Sequence, residues 1–304
     1  MTPRAHPSTR QDYYADATLY DILHESGTAG EVRAVLRLAR AYGPKPAPRP
    51  CILLEPACGS GRSLLALAKR GCHAVGFDMS PLMVRYAQRT ARADSPRTAR
   101  SVTVFRARME DFAMPPAPGA KKAGPLRAHA AFNLINTIRH LTTDTALIAH
   151  LRFMRTALAP GGIYIVGLGL CAYGLEAESE DVWTGSRTVR GRRTSVVQTV
   201  QYLPAPAAGA SSTRPTLRAE RAISHFTVLE AGRRGAPPTE RHIDSSYSLR
   251  SYNLAQWTSL IARAGWEVVA ITDQDGLAMT PSEPGYFLWV LRPAQPRVRP
   301  PRSP

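Results

Sequence analysis

The apolar positions along this 304-residue chain change period several times, and each change marks an element. Residues 11–20 and 29–42 carry apolar side chains at helical spacing, punctuated by Gly27 and Gly30. A stiff proline-rich linker at 44–50 leads to a continuous apolar run at 51–54, the length of a strand covered on both faces. Leucines and alanines at 63–70 return to helical spacing, and 73–77 reads as a second apolar strand. Ser80 and Pro81 then supply an N-cap and a first-turn proline for a helix reaching about residue 93. Strands follow at 102–106 and 128–135, then a helix from Thr143-Asp144 to 158, a Pro160-Gly161-Gly162 stop and a strand at 163–170. Residues 253–264 are again helical, while 267–272 and 286–291 are extended. Alternation of strand and helix predicts an α/β fold, a seven-stranded and mostly parallel sheet with helices on both faces. Between 183 and 250 the period drops to two, as in 196–202 and 222–228, which predicts an inserted antiparallel β-rich segment.

The joint between the first strand and its helix carries the candidate chemistry. Glu55 ends the apolar run, and Gly59 and Gly61 let the backbone turn sharply and approach a ligand whose polar end meets the free N–H groups of the helix start. Nineteen residues after Gly59, Asp78 ends the second strand, where a carboxylate accepts both hydroxyls of a ribose. Leu64 stands where the dinucleotide fingerprint has its third glycine, which argues against NAD.

Glu55, Gly59 and Gly61 followed by a strand-end Asp78 resemble the class I S-adenosylmethionine-dependent methyltransferases, whose sheet is Rossmann-like. The resemblance covers about residues 51–291, including Pro160-Gly161-Gly162 and the segment "LIARAGWEVVAI". It implies S-adenosylmethionine as cofactor and S-adenosylhomocysteine as product. By resemblance, Gly59 and Gly61 line the methionine portion, Glu55 steadies the loop and the amino group, Asp78 holds the ribose, and Ala57 is a further cofactor-binding candidate. Met79 would touch the adenine. In the next loop, 107–112, Arg108 takes the position of the acid that normally reads the adenine amino group, so this contact passes to backbone groups at Arg108 and Met109 or to Glu110. An amino-terminal tyrosine often covers the cofactor in such enzymes, which makes Tyr14, beside Tyr13, a further cofactor-binding candidate.

The fourth strand starts with His129 where the family often has Asp, and it exits into Asn136-Thr-Ile-Arg139-His140-Leu, similar to a segment of one broad group of these enzymes. Ligands bind outside the carboxyl ends of such strands, so the methyl acceptor is expected here. His140 is the titratable candidate for a general base, against a structural role as a histidine bonded in the turn. Asn136 would orient the acceptor, and Arg139 would do so or pair with an acid. The base-methylation signatures after strand four and the Pro-Cys nucleophile of carbon-5 enzymes are missing, and no acid-rich amine pocket or zinc-ligand cluster occurs. These absences favour a small-molecule acceptor methylated on nitrogen or oxygen. The alternatives are an RNA methyltransferase and a non-catalytic cofactor-binding protein.

Charge modifies this picture only in part. The formal net charge of +16 suits a polyanion partner, but 35 of the 39 cations are arginine, as a biased codon supply would give throughout a proteome. Residues 183–250 hold eleven arginines against four acids, and their aromatics lack the spacing of a base-stacking platform. Four cysteines without metal spacing read as buried free thiols. The absence of a secretory leader or an eighteen-residue apolar run predicts a cytoplasmic protein without membrane contact. The expected organisation is a helical cap and linker (1–50), a cofactor-binding core (51–182), a β-rich flap (183–250) shaping the acceptor pocket or a dimer contact, the end of the core sheet (251–292), and a disordered tail (293–304). A monomer or a homodimer is consistent with it.

Overall fold

A computed structural model describes residues 8–116, 124–232 and 236–295. In chain order the elements are β1 (Ser8–Arg10), α1 (Ala17–His24), α2 (Thr28–Tyr42), β2 (Ile52–Pro56), α3 (Arg62–Lys69), β3 (His73–Asp78), α4 (Pro81–Asp94), α5 (Pro96–Ser101), β4 (Val102–Arg106) and β5 (Ala128–Asn133). There follow α6 (Asp144–Ala157), β6 (Leu158–Leu170), β7 (Ser179–Val189), β8 (Arg192–Leu203), β9 (Ala219–Glu230), β10 (Thr239–Arg250), α7 (Leu254–Arg263), β11 (Trp266–Thr272) and β12 (Gly285–Pro293).

Seven strands form the main sheet in the order β11-β12-β6-β5-β2-β3-β4. The pairings of β2 with β3 and β5, of β3 with β4 and of β5 with β6 are parallel, while β12 runs antiparallel to both neighbours. The continuous apolar runs are explained by two-sided cover. On one face Val32, Val35, Leu64, Leu67 and Val84 from α2, α3 and α4 close over Leu53 and Ala74. On the other, Leu147, Leu151, Trp257 and Leu260 from α6 and α7 close over Leu54 and Val75. Ser80 accepts from the Met83 N–H to start α4, with Pro81 at its first position.

The second sheet corrects one expectation. Strands β7 to β10 are antiparallel in sequence order, but β1 adds on the β10 edge in parallel, so the sheet is mixed, not purely antiparallel. Residues 8–10, within the expected helical cap, supply that strand because β10 leaves backbone groups free at its edge. The sheet begins at Ser179, four residues before the period change was apparent. Its inner face, with Val196, Phe226, Val228 and Ile243, packs on Leu19, Ile22 and Leu23 of α1. Thus α1 lies between the second sheet and the core, where Arg187 of β7 pairs with Asp21 (2.6 Å) and Glu25 (2.7 Å), and Tyr86 of α4 donates to the same Asp21 at 2.9 Å.

The first helix also begins later than its apolar spacing predicts. Asp12 accepts from the Tyr14 N–H to form a turn, and Asp16 caps Thr18 and Leu19, so the helix starts at Ala17 and Tyr13 and Tyr14 stand in the turn before it. The expected disordered tail falls largely on residues 296–304, outside the described residues.

Candidate active site

The turn after β2 is held in left-handed backbone, with φ of 50° at Ala57, 52° at Gly59 and 75° at Gly61. Gly59 also permits a close approach, because a Cβ there would stand 3.2 Å from the Tyr20 ring. The Asp78 carboxylate ties the loop to β3: one oxygen accepts from the Gly59 N–H at 2.9 Å and the other from the Ser80 N–H at 2.8 Å. Burial raises the Asp78 pKa, and these backbone donors oppose the rise. Each carboxylate oxygen keeps a lone pair for a ligand hydroxyl.

Glu55 lies below the same turn. Burial pushes its carboxyl up to about 8 despite the opposing charge of Arg62, whose guanidinium is paired with Glu31 at 2.7 Å. The buried Glu55 Oε2 has no hydrogen-bond partner among the described residues. A carboxyl oxygen left orphaned in low dielectric calls for a partner, and an ammonium group, by favouring the ionised form, would supply both the missing bond and the opposite charge. Glu55, the left-handed turn and Asp78 therefore fit the amino-acid and ribose portions of S-adenosylmethionine. Beyond Asp78, Met79 leaves 59% of its surface exposed, an apolar face beside the Asp78 carboxylate. The Met109 carbonyl lies 2.9 Å from His150 Nδ1, and Glu110 accepts from Arg108 Nε at 2.7 Å, so the Glu110 carboxylate already has a cation.

On the acceptor side, the chain leaves β5 through Ile135 (φ 51°) and Asn136 (φ 60°) into a single 3₁₀ turn, Thr137–His140. The Asn136 amide oxygen accepts from the Gly169 N–H of β6 at 2.7 Å. Arg139 is buried and donates to the Arg250 carbonyl at 2.7 Å and to Ser251, with Glu220 at 3.4 Å, so it fastens the second sheet to this turn. His140 Nε2 lies 2.8 Å from the Tyr14 hydroxyl. Burial, helped by the Arg139 charge, lowers its pKa to about 4, so the imidazole is neutral at pH 7.

Aromatic rings from distant parts of the chain surround this pair. Tyr247 of β10 lies 5.6 Å from the His140 ring, Tyr13 packs edge-on to Tyr14 at 4.8 Å, and Tyr20 lies 5.7 Å from Tyr14. Gln198 and Ser224 of the second sheet continue the network, with the Tyr13 hydroxyl 3.4 Å from the Gln198 oxygen and 3.1 Å from His24 Nε2. Tyr20, Tyr247 and Gln198 escaped the sequence reading. The cluster Tyr13-Tyr14-Tyr20 was a signal for the first, whereas nothing near Tyr247 or Gln198 in sequence connects them to this turn. Among the described residues, no group of three or more metal-ligand side chains occurs, and no helix is long and apolar enough to cross a membrane.

Residues 53–162 match a family model described as a methyltransferase domain. No curated protein matches the chain by sequence. Among solved structures, the sugar N-methyltransferase KedS8 from a Streptoalloteichus species is 20% identical, with 97% of this chain and 99% of that one covered and a TM-score of 0.65. DesVI of Streptomyces venezuelae is 21% identical, covering 94% and 100%, with a TM-score of 0.63. CalS10, an amino pentose methyltransferase from Micromonospora echinaspora solved with S-adenosylmethionine bound, is 19% identical, covering 95% and 100%, with a TM-score of 0.56. The likeness extends over both sheets.

Proposed function

We propose, from the premise that this chain is a class I S-adenosylmethionine-dependent methyltransferase, that it methylates a nitrogen or oxygen of a small molecule. The observation that carries this reading is the Tyr14–His140 pair at 2.8 Å, placed where β5 ends and roofed by Tyr13 and Tyr247. A desolvated pair surrounded by aromatic rings suits a compact acceptor better than an extended one. Structural neighbours described as acting on a sugar nitrogen and on an amino pentose make amine-bearing sugars the first acceptors to try.

Bound S-adenosylmethionine supplies an activated methyl group on a sulfonium centre. The chain's own work is then to align the acceptor, exclude water and take one proton. Glu55 and Asp78 hold the amino-acid and ribose ends, and Met79 offers an apolar face to the base. As the acceptor's lone pair forms its bond to the methyl carbon and the carbon–sulfur bond breaks, the neutral His140 imidazole takes the proton the acceptor loses, directly or through the Tyr14 hydroxyl, which would pass its own proton on to Nε2. Asn136 and Arg139 act from behind, holding the turn that presents His140.

Incubation of purified protein with methyl-labelled S-adenosylmethionine and, in parallel, amino sugars, a metabolite extract, an RNA pool and a protein pool tests the reading. Label is expected in a small molecule. Label confined to RNA or protein would overturn the acceptor class, and label in none of the pools would favour a cofactor-binding protein without turnover.

A further inference from the structure

Ile135 and Asn136 are consecutive non-glycine residues in the left-handed region, and Ile135 is β-branched, the residue type that this conformation suits least. Such a backbone persists only where its surroundings over-determine it. Three bonds do so here. The Ile135 N–H donates to the Tyr286 hydroxyl at 3.0 Å, the Asn136 N–H donates to the Gly167 carbonyl at 3.1 Å, and the Gly169 N–H donates to the Asn136 side chain at 2.7 Å. Tyr286 belongs to β12, far along the chain, and reaches the turn because Gly167 has no side chain. A Cβ at Gly167 would collide with the Tyr286 hydroxyl and stand 3.1 Å from the Leu134 Cα. The turn is rigidly continued: Thr137 N–H bonds to the Leu134 carbonyl at 3.1 Å, Arg139 N–H to the Asn136 carbonyl at 2.9 Å, and His140 closes the 3₁₀ turn.

We propose that Tyr286 is a positioning residue for methyl transfer: its hydroxyl clamps the left-handed Ile135 backbone and so fixes where the 3₁₀ turn presents His140 to the acceptor. The inference rests on the functional reading above for its consequence, but the clamp itself is independent of any acceptor. The hydroxyl remains un-ionised at every working pH, because burial raises its pKa well above the ordinary tyrosine value. It therefore serves as a permanent acceptor for the Ile135 N–H. Without it, the β-branched residue would relax out of the left-handed region and carry His140 away from Tyr14.

Tyr286→Phe keeps the ring in β12 and removes only the hydroxyl. Three measurements on the full chain are informative together: amide exchange at Ile135 without acceptor, S-adenosylmethionine affinity by calorimetry, and turnover. Exchange at Ile135 is expected to quicken at least tenfold, kcat to fall roughly tenfold, and cofactor Kd to stay within twofold. Ile135→Asn in the same background should restore most of kcat, since asparagine tolerates the left-handed region without a clamp. A merely structural tyrosine would lose stability and cofactor binding together and would not be rescued at residue 135. Unchanged exchange overturns the clamp. Altered exchange with unchanged kcat, or a kcat loss that Ile135→Asn does not relieve, overturns the positioning role. Quickened exchange in a protein that methylates no acceptor leaves the clamp standing and sinks the functional reading instead.

Discussion

The hydroxyl oxygen of Tyr14 and Nε2 of His140 stand 2.8 Å apart, one delivered by the turn before α1 and the other by the turn after β5. Both groups are uncharged at pH 7, since burial raises the tyrosine and lowers the histidine. An uncharged, desolvated pair can take a proton without first expelling one.

His140→Ala is accordingly expected to slow turnover by roughly 10² to 10⁴ while leaving cofactor affinity unchanged, and Tyr14→Phe to slow it by about tenfold. The pH profile discriminates further. With the His140 pKa lowered to about 4, the acid limb of kcat should appear near that pH, and a limb centred near 6.5 would mark a solvated histidine.

Glu55 predicts proton release on cofactor binding. Its carboxyl, pushed up to about 8 by burial, is mostly protonated at pH 7, and an arriving ammonium group favours the carboxylate. Calorimetry of S-adenosylmethionine binding in two buffers of different ionisation enthalpy should report release of part of a proton at pH 7 and less at pH 9. Glu55→Gln should abolish the release and weaken binding.

On the proposed binding mode, Asp78→Ala removes the acceptor for two ribose hydroxyls as well as for the Gly59 N–H. Hydrogen bonds to a charged group contribute about 1.5–3 kcal/mol each, so cofactor affinity should fall at least a hundredfold. Affinity within threefold of the parent would mean that the ribose lies elsewhere.

Acid stability follows from three buried imidazoles. His24, His140 and His150 are each lowered to about 4, chiefly by burial. Between about pH 6.5 and 4 the unfolded chain binds these protons and the folded chain does not, so stability is lost as pH falls through that window and levels off below it. Each histidine contributes up to about 3 kcal/mol to this loss. Urea midpoints measured from pH 7 to 4 should fall steeply, and His150→Gln should remove part of the slope.

The proposed cofactor half of the site could be drawn from the sequence because its residues are local. Glu55, Ala57, Gly59 and Gly61 occupy one strand-to-helix turn, and Asp78 ends the neighbouring strand, so their spacing along the chain almost is their geometry. Arg139 shows the limit. Its sequence offered two readings, orientation of the acceptor or pairing with an acid, and the side chain is in fact bound by the Arg250 carbonyl, Ser251 and Glu220, all contributed from beyond residue 218.

By itself, then, the sequence determined the main sheet and the glycine turn, and pointed to the two carboxylates proposed to hold the cofactor, because continuous apolar runs and capped amphipathic helices dictate local structure. The tertiary structure alone decided that residues 8–10 close the second sheet, that Tyr247 roofs His140, and that Tyr286 holds a left-handed isoleucine 151 residues away. Those relationships arise where two sheets and α1 pack together, and long-range packing places in contact residues whose own neighbours carry no trace of the partner.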